Sequence, residues 1–482
     1  MIDQKYHYLL NHADIAFEAP TSGAYIEVKD AANGTSLAWV KQHDRASVEH
    51  FILRSEQAQA AFKKFTALQR ADILMAWYRL MLDHQEDLAQ ILTAEQGKPL
   101  AEARGEIGSA ASFIRWFAEQ ARRIDGDILP SPQAQQRLLV IKQPIGVTAA
   151  ITPWNFPAAM ITRKIAPAIA AGCSMLIKPA EQTPLSAYAL QVLAIQAGLP
   201  SDVMITLSGD SVAVGKTLCE SDIVRKLTFT GSTEVGRILA EQCAPTIKKL
   251  SLELGGNAPV IVFDDANIEQ AVKGILASKF RNSGQTCVCA NRVYIQEGIY
   301  DAVAQRVIEE VNKLKVGDGR IEGTTQGPLV DEAAVAKVES HIQDALAKGA
   351  TLATGGKRLS ESNTFFEPTV LMGVTQEMRV AREETFGPLA PLFSFKTEQD
   401  AVQMANDTEF GLAAYLFTQN ASRQWRVGEA LEYGMVGVNT GMISIEVAPF
   451  GGIKQSGLGR EGSKYGIDDY LEMKYLCVDL SE

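Results

Sequence analysis

The chain has 482 residues, too many for one hydrophobic core and enough for two domains or slightly more. It is 46% hydrophobic and 21% charged, an ordinary globular balance, and its formal net charge of -11 argues against nucleic acid or an anionic membrane as the main partner. A small anionic ligand stays open, because a local pair of arginines overrides the global field. Six cysteines at 173, 219, 243, 287, 289 and 477 follow no framework spacing, which reads as reduced thiols in a reducing compartment. The opening "MIDQKYHYLL" lacks a basic segment followed by an apolar one, and no apolar run is long enough to span a bilayer. The expected location is the cytoplasm.

In chain order, the first third reads as helical. Within "ADILMAWYRLMLDHQEDLAQILTAEQGKPL", apolar residues such as Leu88, Ile91 and Leu92 recur at helical spacing until Gly97 and Pro99 stop the pattern. A second amphipathic stretch runs through "ASFIRWFAEQARRI". "RLLVIKQPIGVTAAITPW" is rich in β-branched residues and broken by Pro144 and Gly146, which predicts two strands and a turn. "MITRKIAPAIAAG" predicts a helix with Pro167 at a kink or first turn, and "SMLIKP" a short buried strand. Thr183 is a candidate cap for a helix that starts with Pro184 and closes at Gly198. "VRKLTFTG" predicts a strand that feeds a helix through "GSTEVG". A second alternating block starts at "NAPVIVFDDAN" and reaches about residue 440. Strands alternating with helices imply parallel sheets covered on both faces, hence an α/β fold in two closely packed domains.

Three stretches suggest a nucleotide. Gly231 and Ser232 sit where a strand turns into a helix, and unpaired N–H groups at a helix start suit a diphosphate. A plain strand–helix turn with a serine cap explains the same residues equally well. Lys178 and Glu181 lie just past a short apolar strand, where open α/β sheets bind ligands; a solvated ion pair is the alternative. The literal GxGxxG at Gly457, Gly459 and Gly462 follows no predicted strand and is rejected as a dinucleotide fingerprint.

A second set suggests acyl chemistry. Cys287 in "RNSGQTC" has small neighbours that let a substrate approach, Glu253 precedes two glycines with room to reach a thiol or a water, and Asn155 lies between prolines with an amide free to face an oxyanion. Singly, each has a structural explanation. The six histidines (7, 12, 43, 50, 84, 341) form no motif, and no C-x-x-C or H-E-x-x-H occurs, so neither a Cys–His hydrolase nor a metal site is expected.

Seven segments, "PWNFP", "KPAEQTP", "FTGSTEVG", "LELGGNAP", "GQTC", "EETFGP" and "PFGGIKQSGLGREG", resemble the aldehyde dehydrogenase superfamily, in family order and over nearly the whole chain. The resemblance implies a Rossmann-type cofactor domain over 1–121 and 142–252, an α/β catalytic domain over 253–443, and a small β oligomerisation element over 122–141 and 467–482. It implies Cys287 as nucleophile, Asn155 with the Cys287 N–H as oxyanion donors, and Glu253 as the base that hydrolyses the thioester. Trp154, Lys178, Glu181, Gly231, Ser232, Glu384 and Phe386 match cofactor positions, and Lys164 and Glu461 match a proton-relay pair. Relatives that pass the acyl group to coenzyme A lack the base at Glu253, so hydrolysis to a free acid is expected. A dehydrogenase fold retained as a structural protein is the different-class alternative; the intact Cys287, Glu253 and Asn155 speak against it.

Within the superfamily, "IKQPIGVTAAITPWNFPAAMITRK" and "ASKFRNSGQTCVCANR" are similar to the bacterial succinate-semialdehyde dehydrogenase branch. Its substrate carries a remote carboxylate, so Arg163, Arg281 and Ser444 are the expected clamp, with a surface ion pair as the alternative for each arginine. Glutarate semialdehyde, one CH₂ longer, is an alternative substrate, a difference worth about 1–3 kcal/mol in a pocket. Glu181 should repel a 2′-phosphate, which favours NAD or dual use over NADP alone. The expected partners are a small semialdehyde and other copies of the chain, as dimer or tetramer. Cys289 is either a buried structural thiol or, as the resemblance implies, the redox partner of Cys287; alternate strand residues lie roughly 6–7 Å apart, so the two could meet only if the chain leaves strand geometry.

Overall fold

A computed structural model describes residues 2–361 and 363–481. Two parallel sheets organise the chain. In the first, the strands run Gly457–Leu458, Lys249–Glu253, Val224–Thr230, Val147–Ile151, Ser174–Lys178 and Met204–Thr206 across the sheet. All are parallel except Gly457–Leu458, which pairs antiparallel with the end of Lys249–Glu253. The rejected GxGxxG begins on a two-residue edge strand and opens no helix. The direction of winding reverses between Val147–Ile151 and Val224–Thr230, where an open α/β sheet leaves a crevice at its carboxyl end.

The second sheet has seven strands, ordered Thr351–Thr354, Thr369–Val374, Leu389–Phe395, Ala290–Gln296, Ala258–Val262, Ala413–Phe417 and Met435–Val438. Only Thr351–Thr354 is antiparallel to its neighbour. Strands such as Ala258–Val262 and Ala413–Phe417 are buried along their whole length, as near-continuous apolar runs covered on both faces must be. A separate three-stranded sheet joins Asp127–Leu129, Gln136–Pro144 and Leu471–Asp479, all antiparallel. Among the described residues no helix is long and apolar enough to cross a membrane.

The sequence expectations need four corrections. The first third is not wholly helical, because Ile15–Ala16, Tyr25–Lys29 and Ser36–Lys41 form an antiparallel sheet. The long amphipathic stretch is two helices, Ala67–Asp83 and Gln85–Gln96, broken at His84; Gly97, at φ +92°, ends the second as expected. Thr183 does not cap the helix Leu185–Gln196. Instead the buried Glu95 carboxylate accepts from Leu185 N at 2.7 Å and Ser186 N at 2.9 Å, a cap supplied from 90 residues upstream. Pro167 lies well inside the helix Ala159–Ala171 and not in its first turn.

Candidate active site

The sequence candidates gather at the carboxyl ends of the first sheet. Glu253 ends one strand, Thr230 ends the next with Gly231 just past it, Trp154 and Asn155 follow Val147–Ile151, and Lys178 ends Ser174–Lys178. Beyond Glu253 the chain crosses to the second sheet through Gly255 and Gly256. A Cβ on Gly256 would lie 2.7 Å from the Cys287 carbonyl oxygen, so only glycine lets this backbone pass beside the thiol segment.

Cys287 sits in a turn ahead of the strand Ala290–Gln296, with Cys289 N donating to Thr286 O at 3.1 Å. It lines a cavity of about 330 Å³ together with Glu102, Glu106, Arg163, Arg281 and Ser444. Burial pushes its thiol up to about 12, opposed by the Arg163 guanidinium, so the resting sulfur holds its proton. Glu253 is buried, and its Oε2 has no hydrogen-bond partner. Burial and the neighbouring Glu461 hold its carboxyl well above the usual carboxylate range, making it a stronger base than a free glutamate. Glu461 is bound to Lys164 Nζ, which also donates to Thr228 Oγ1 at 3.1 Å.

Asn155 Nδ2 donates one hydrogen to Gln285 O at 3.0 Å, which ties the amide to the cysteine segment and leaves its second N–H uncommitted. The Asn155 backbone carbonyl accepts from Lys98 Nζ at 2.7 Å and from Asn282 Nδ2 at 3.0 Å. Lys98 in turn donates to Glu106 at 2.6 Å and lies 3.9 Å from the Phe156 ring centroid. The other Glu106 oxygen accepts from Ala158 N at 2.9 Å and Ala159 N at 3.2 Å. Sequence reading missed Lys98, Glu106, Asn282 and Gln285, and only the small-residue setting "RNSGQ" hinted at the last two.

Arg163 is 5% exposed and lies between the Phe113 and Phe450 rings, at 4.8 and 4.4 Å from their centroids. Its Nη2 donates to Ser444 Oγ, while Nε and Nη1 are buried without a protein partner. Unpaired N–H donors on a buried guanidinium suit a carboxylate, which Nη1 and the second Nη2 hydrogen could meet along one edge. Arg281 has a softer setting: Nη1 reaches Met442 Sδ at 3.8 Å, and its guanidinium lies 5.4 Å from the Phe156 centroid.

The remaining candidates fall in two groups. Ser232 caps the helix Thr233–Cys243 through Val235 N, and Gly231 N donates to Glu253 O at 3.0 Å. Beside it, the buried Thr230 Oγ1 lacks a partner. Glu384 accepts from Gly256 N at 3.2 Å, and burial raises it to about 7. Phe386, at φ +55°, packs edge-on against Trp154 at 5.7 Å. His341, unassigned in the sequence, binds Thr385 Oγ1 at 3.0 Å and Glu383 at 3.2 Å and so holds this segment. At the far strand ends, Lys178 Nζ donates to Glu181 at 2.9 Å and to Ser211 Oγ, and Ser211 donates to Glu181 at 2.5 Å. Burial works to raise Glu181, but the Lys178 ammonium and Ser211 bring it below its ordinary value. Ser211 carried no signal in the sequence. An orphaned hydroxyl and a helix start, with the Glu181 carboxylate past a neighbouring strand end, fit a dinucleotide.

Cys289 is buried, its sulfur 3.3 Å from both Lys279 Nζ and Lys279 O.

Residues 17–476 match the family model described as Aldehyde dehydrogenase family. The chain is 61% identical over 459 residues, 95% of each chain, to the succinate-semialdehyde dehydrogenase (NADP(+)) GabD of Escherichia coli (strain K12). It is 60% identical, again over 95% of each chain, to a glutarate-semialdehyde dehydrogenase of Pseudomonas putida. A crystal structure of succinate-semialdehyde dehydrogenase from Burkholderia pseudomallei superposes with a TM-score of 0.95 at 58% identity, covering 99% of both chains.

Proposed function

This chain belongs to the aldehyde dehydrogenase family, and we propose that it oxidises succinate semialdehyde to succinate with NAD or NADP. The observation that carries the substrate is Arg163, which lines the cavity that holds Cys287 and keeps two buried guanidinium nitrogens without a protein partner. Ser444 and Arg281 complete the clamp.

The thiol cannot attack while protonated. Its proton leaves to solvent through the cavity, and the Arg163 guanidinium, which opposes the effect of burial, favours the ionised sulfur; Glu253 stays free for the later step. The sulfur then adds to the aldehyde carbon, and the oxyanion receives the free Asn155 N–H and the Cys287 N–H. The nicotinamide ring, when bound, supplies the acceptor for the hydride. Trp154, Phe386, Glu384, Ser232, Gly231, Lys178 and Glu181 are the residues that would hold the cofactor along the crevice. With the acyl group on Cys287, Glu253 takes a proton from water, the hydroxide cleaves the thioester, and succinate leaves. Glu461 and Lys164 are placed to carry that proton onward.

Glutarate semialdehyde is the second reading, favoured by the relative from Pseudomonas putida and by the small energetic weight of one methylene. We place the contact between copies of the chain on the sheet formed by Asp127–Leu129, Gln136–Pro144 and Leu471–Asp479, with 1–121 and 142–252 as cofactor domain and 253–443 as catalytic domain.

Steady-state kinetics with both semialdehydes and with pentanal test the reading. The account expects kcat/KM for pentanal to be about 10²–10³-fold lower, and Arg163→Met to remove most of that advantage, given about 1.5–3 kcal/mol for each hydrogen bond to a charged group. Equal kcat/KM for charged and uncharged aldehydes would refute it.

A further inference from the structure

The helix Ala159–Ala171 carries Arg163 and Lys164 one turn from its start, and Asn155 lies just ahead of it. Ala158, at its N-cap position, offers no side chain to the exposed N–H groups. Glu106, from the helix Leu100–Gln120, fills that place in trans through Ala158 N and Ala159 N. Its second oxygen binds Lys98, and Lys98 binds the Asn155 carbonyl. Lys98 and Glu106 are 2% and 5% exposed. Every Lys98 donor direction is used: a carboxylate, a carbonyl and the Phe156 ring.

We infer that Lys98 and Glu106 are positioning residues that hold the oxyanion donor Asn155 and the carboxylate clamp Arg163 at one fixed separation, and so set the aldehyde chain length the site prefers. The inference rests on the semialdehyde reading and deepens it. A semialdehyde is a rod with one recognised group at each end. Asn155 and Arg163 recognise those ends, and one buried ion pair anchors the stretch of chain joining them at two points: the Asn155 carbonyl and the first turn of the helix. A hydrophobic pair of the same volume would pack as well and is often as stable as a buried ion pair, so stability alone does not call for the charges. Directed anchoring of a carbonyl and two amides does.

Removing one partner strands the other as a buried charge and endangers folding. The decisive variant is therefore the double replacement Lys98→Met with Glu106→Gln, in which no charge is stranded and the introduced carboxamide oxygen can still accept from the helix amides. Rates are normalised to the folded fraction measured by near-ultraviolet circular dichroism, which removes any unfolded protein. The four-carbon and five-carbon semialdehydes are compared with butanal and pentanal. The expected result is a fall in kcat per active site of about 10²-fold, the scale of a misplacement near 1 Å, with KM within about threefold and the four-to-five-carbon preference moved toward unity. Lys98→Arg, which keeps charge and donors, should restore part of the preference. A double variant whose kcat per active site and chain-length preference equal the parent's would overturn the inference, whatever its thermal stability. The substrate reading is judged separately on the unaltered protein: semialdehydes no faster there than butanal and pentanal would sink that reading, while the kcat of the double variant on the uncharged aldehydes would still report on Asn155.

Discussion

At Glu181 one carboxylate meets two demands. Its Oε1 accepts from Lys178 Nζ and Ser211 Oγ, and the side chain stays about one-third exposed at the crevice. An NAD ribose could share these partners, whereas a 2′-phosphate would bring like charge against a group held ionised. Because solvent reaches this site, the penalty is modest, about 1.4 kcal/mol or tenfold. Glu181→Ser should therefore raise kcat/KM for NADP by about tenfold relative to NAD. An unchanged cofactor ratio would remove Glu181 as the discriminator. Glu181 was legible in the sequence because it lies three residues past Lys178, whereas Ser211 was not, since it reaches the same spot from the next strand's loop. Lys98 and Glu106 were hidden for the same reason: their partners at Asn155 and Ala158 lie more than 50 residues downstream.

Between the helix Ile268–Lys279 and the strand Ala290–Gln296, the chain carries both thiols of "CVC". Cys287 and Val288 lie in a turn, so the strand spacing that would keep the sulfurs apart does not apply. Burial raises the Cys289 thiol, and the Lys279 ammonium 3.3 Å away works against that rise. Peroxide would convert Cys287 to a sulfenic acid, and the Cys289 thiol could then condense with it, releasing water and forming a disulfide. On that account peroxide inactivation is reversed by dithiothreitol in the parent and persists in Cys289→Ala. Equal recovery in both proteins would leave Cys289 as a structural thiol. Local chemistry misled the sequence reading at another element: Thr183 has the right type and spacing for a cap, yet Glu95 does the work, and Thr183 Oγ1 has no partner. Similarly, the strands over 15–41 are short and only partly buried, too weak an alternation to stand out before a long helical region.

Across the whole molecule, the two parallel sheets were readable because their strands are continuous apolar runs bounded by glycine and proline. Their assembly was not, since the crossing through Gly255 and Gly256 depends on how closely two backbones pass. The third sheet differs from both. Leu471–Asp479 is a nine-residue edge strand with Met473 at 76% and Tyr475 at 58% exposure, and Ile128 on the opposite edge is 81% exposed. A long apolar edge left open invites pairing with another chain. Met473→Glu combined with Ile128→Glu should shift the protein to smaller species in light scattering, with the cavity residues untouched. An unchanged mass would place the contact elsewhere.

The central claim is that Cys287 carries the acyl group and Glu253 frees it. Glu253→Gln keeps the shape of the site and removes the base. Mixed with succinate semialdehyde and NAD, this variant should release one burst of reduced cofactor per active site and then turn over at least about 10²-fold more slowly, the usual contribution of a general base. Mass spectrometry of the quenched protein should find one succinyl group on the peptide containing Cys287. Steady turnover at the parent's rate, or an acyl group on any other residue, would contradict the account.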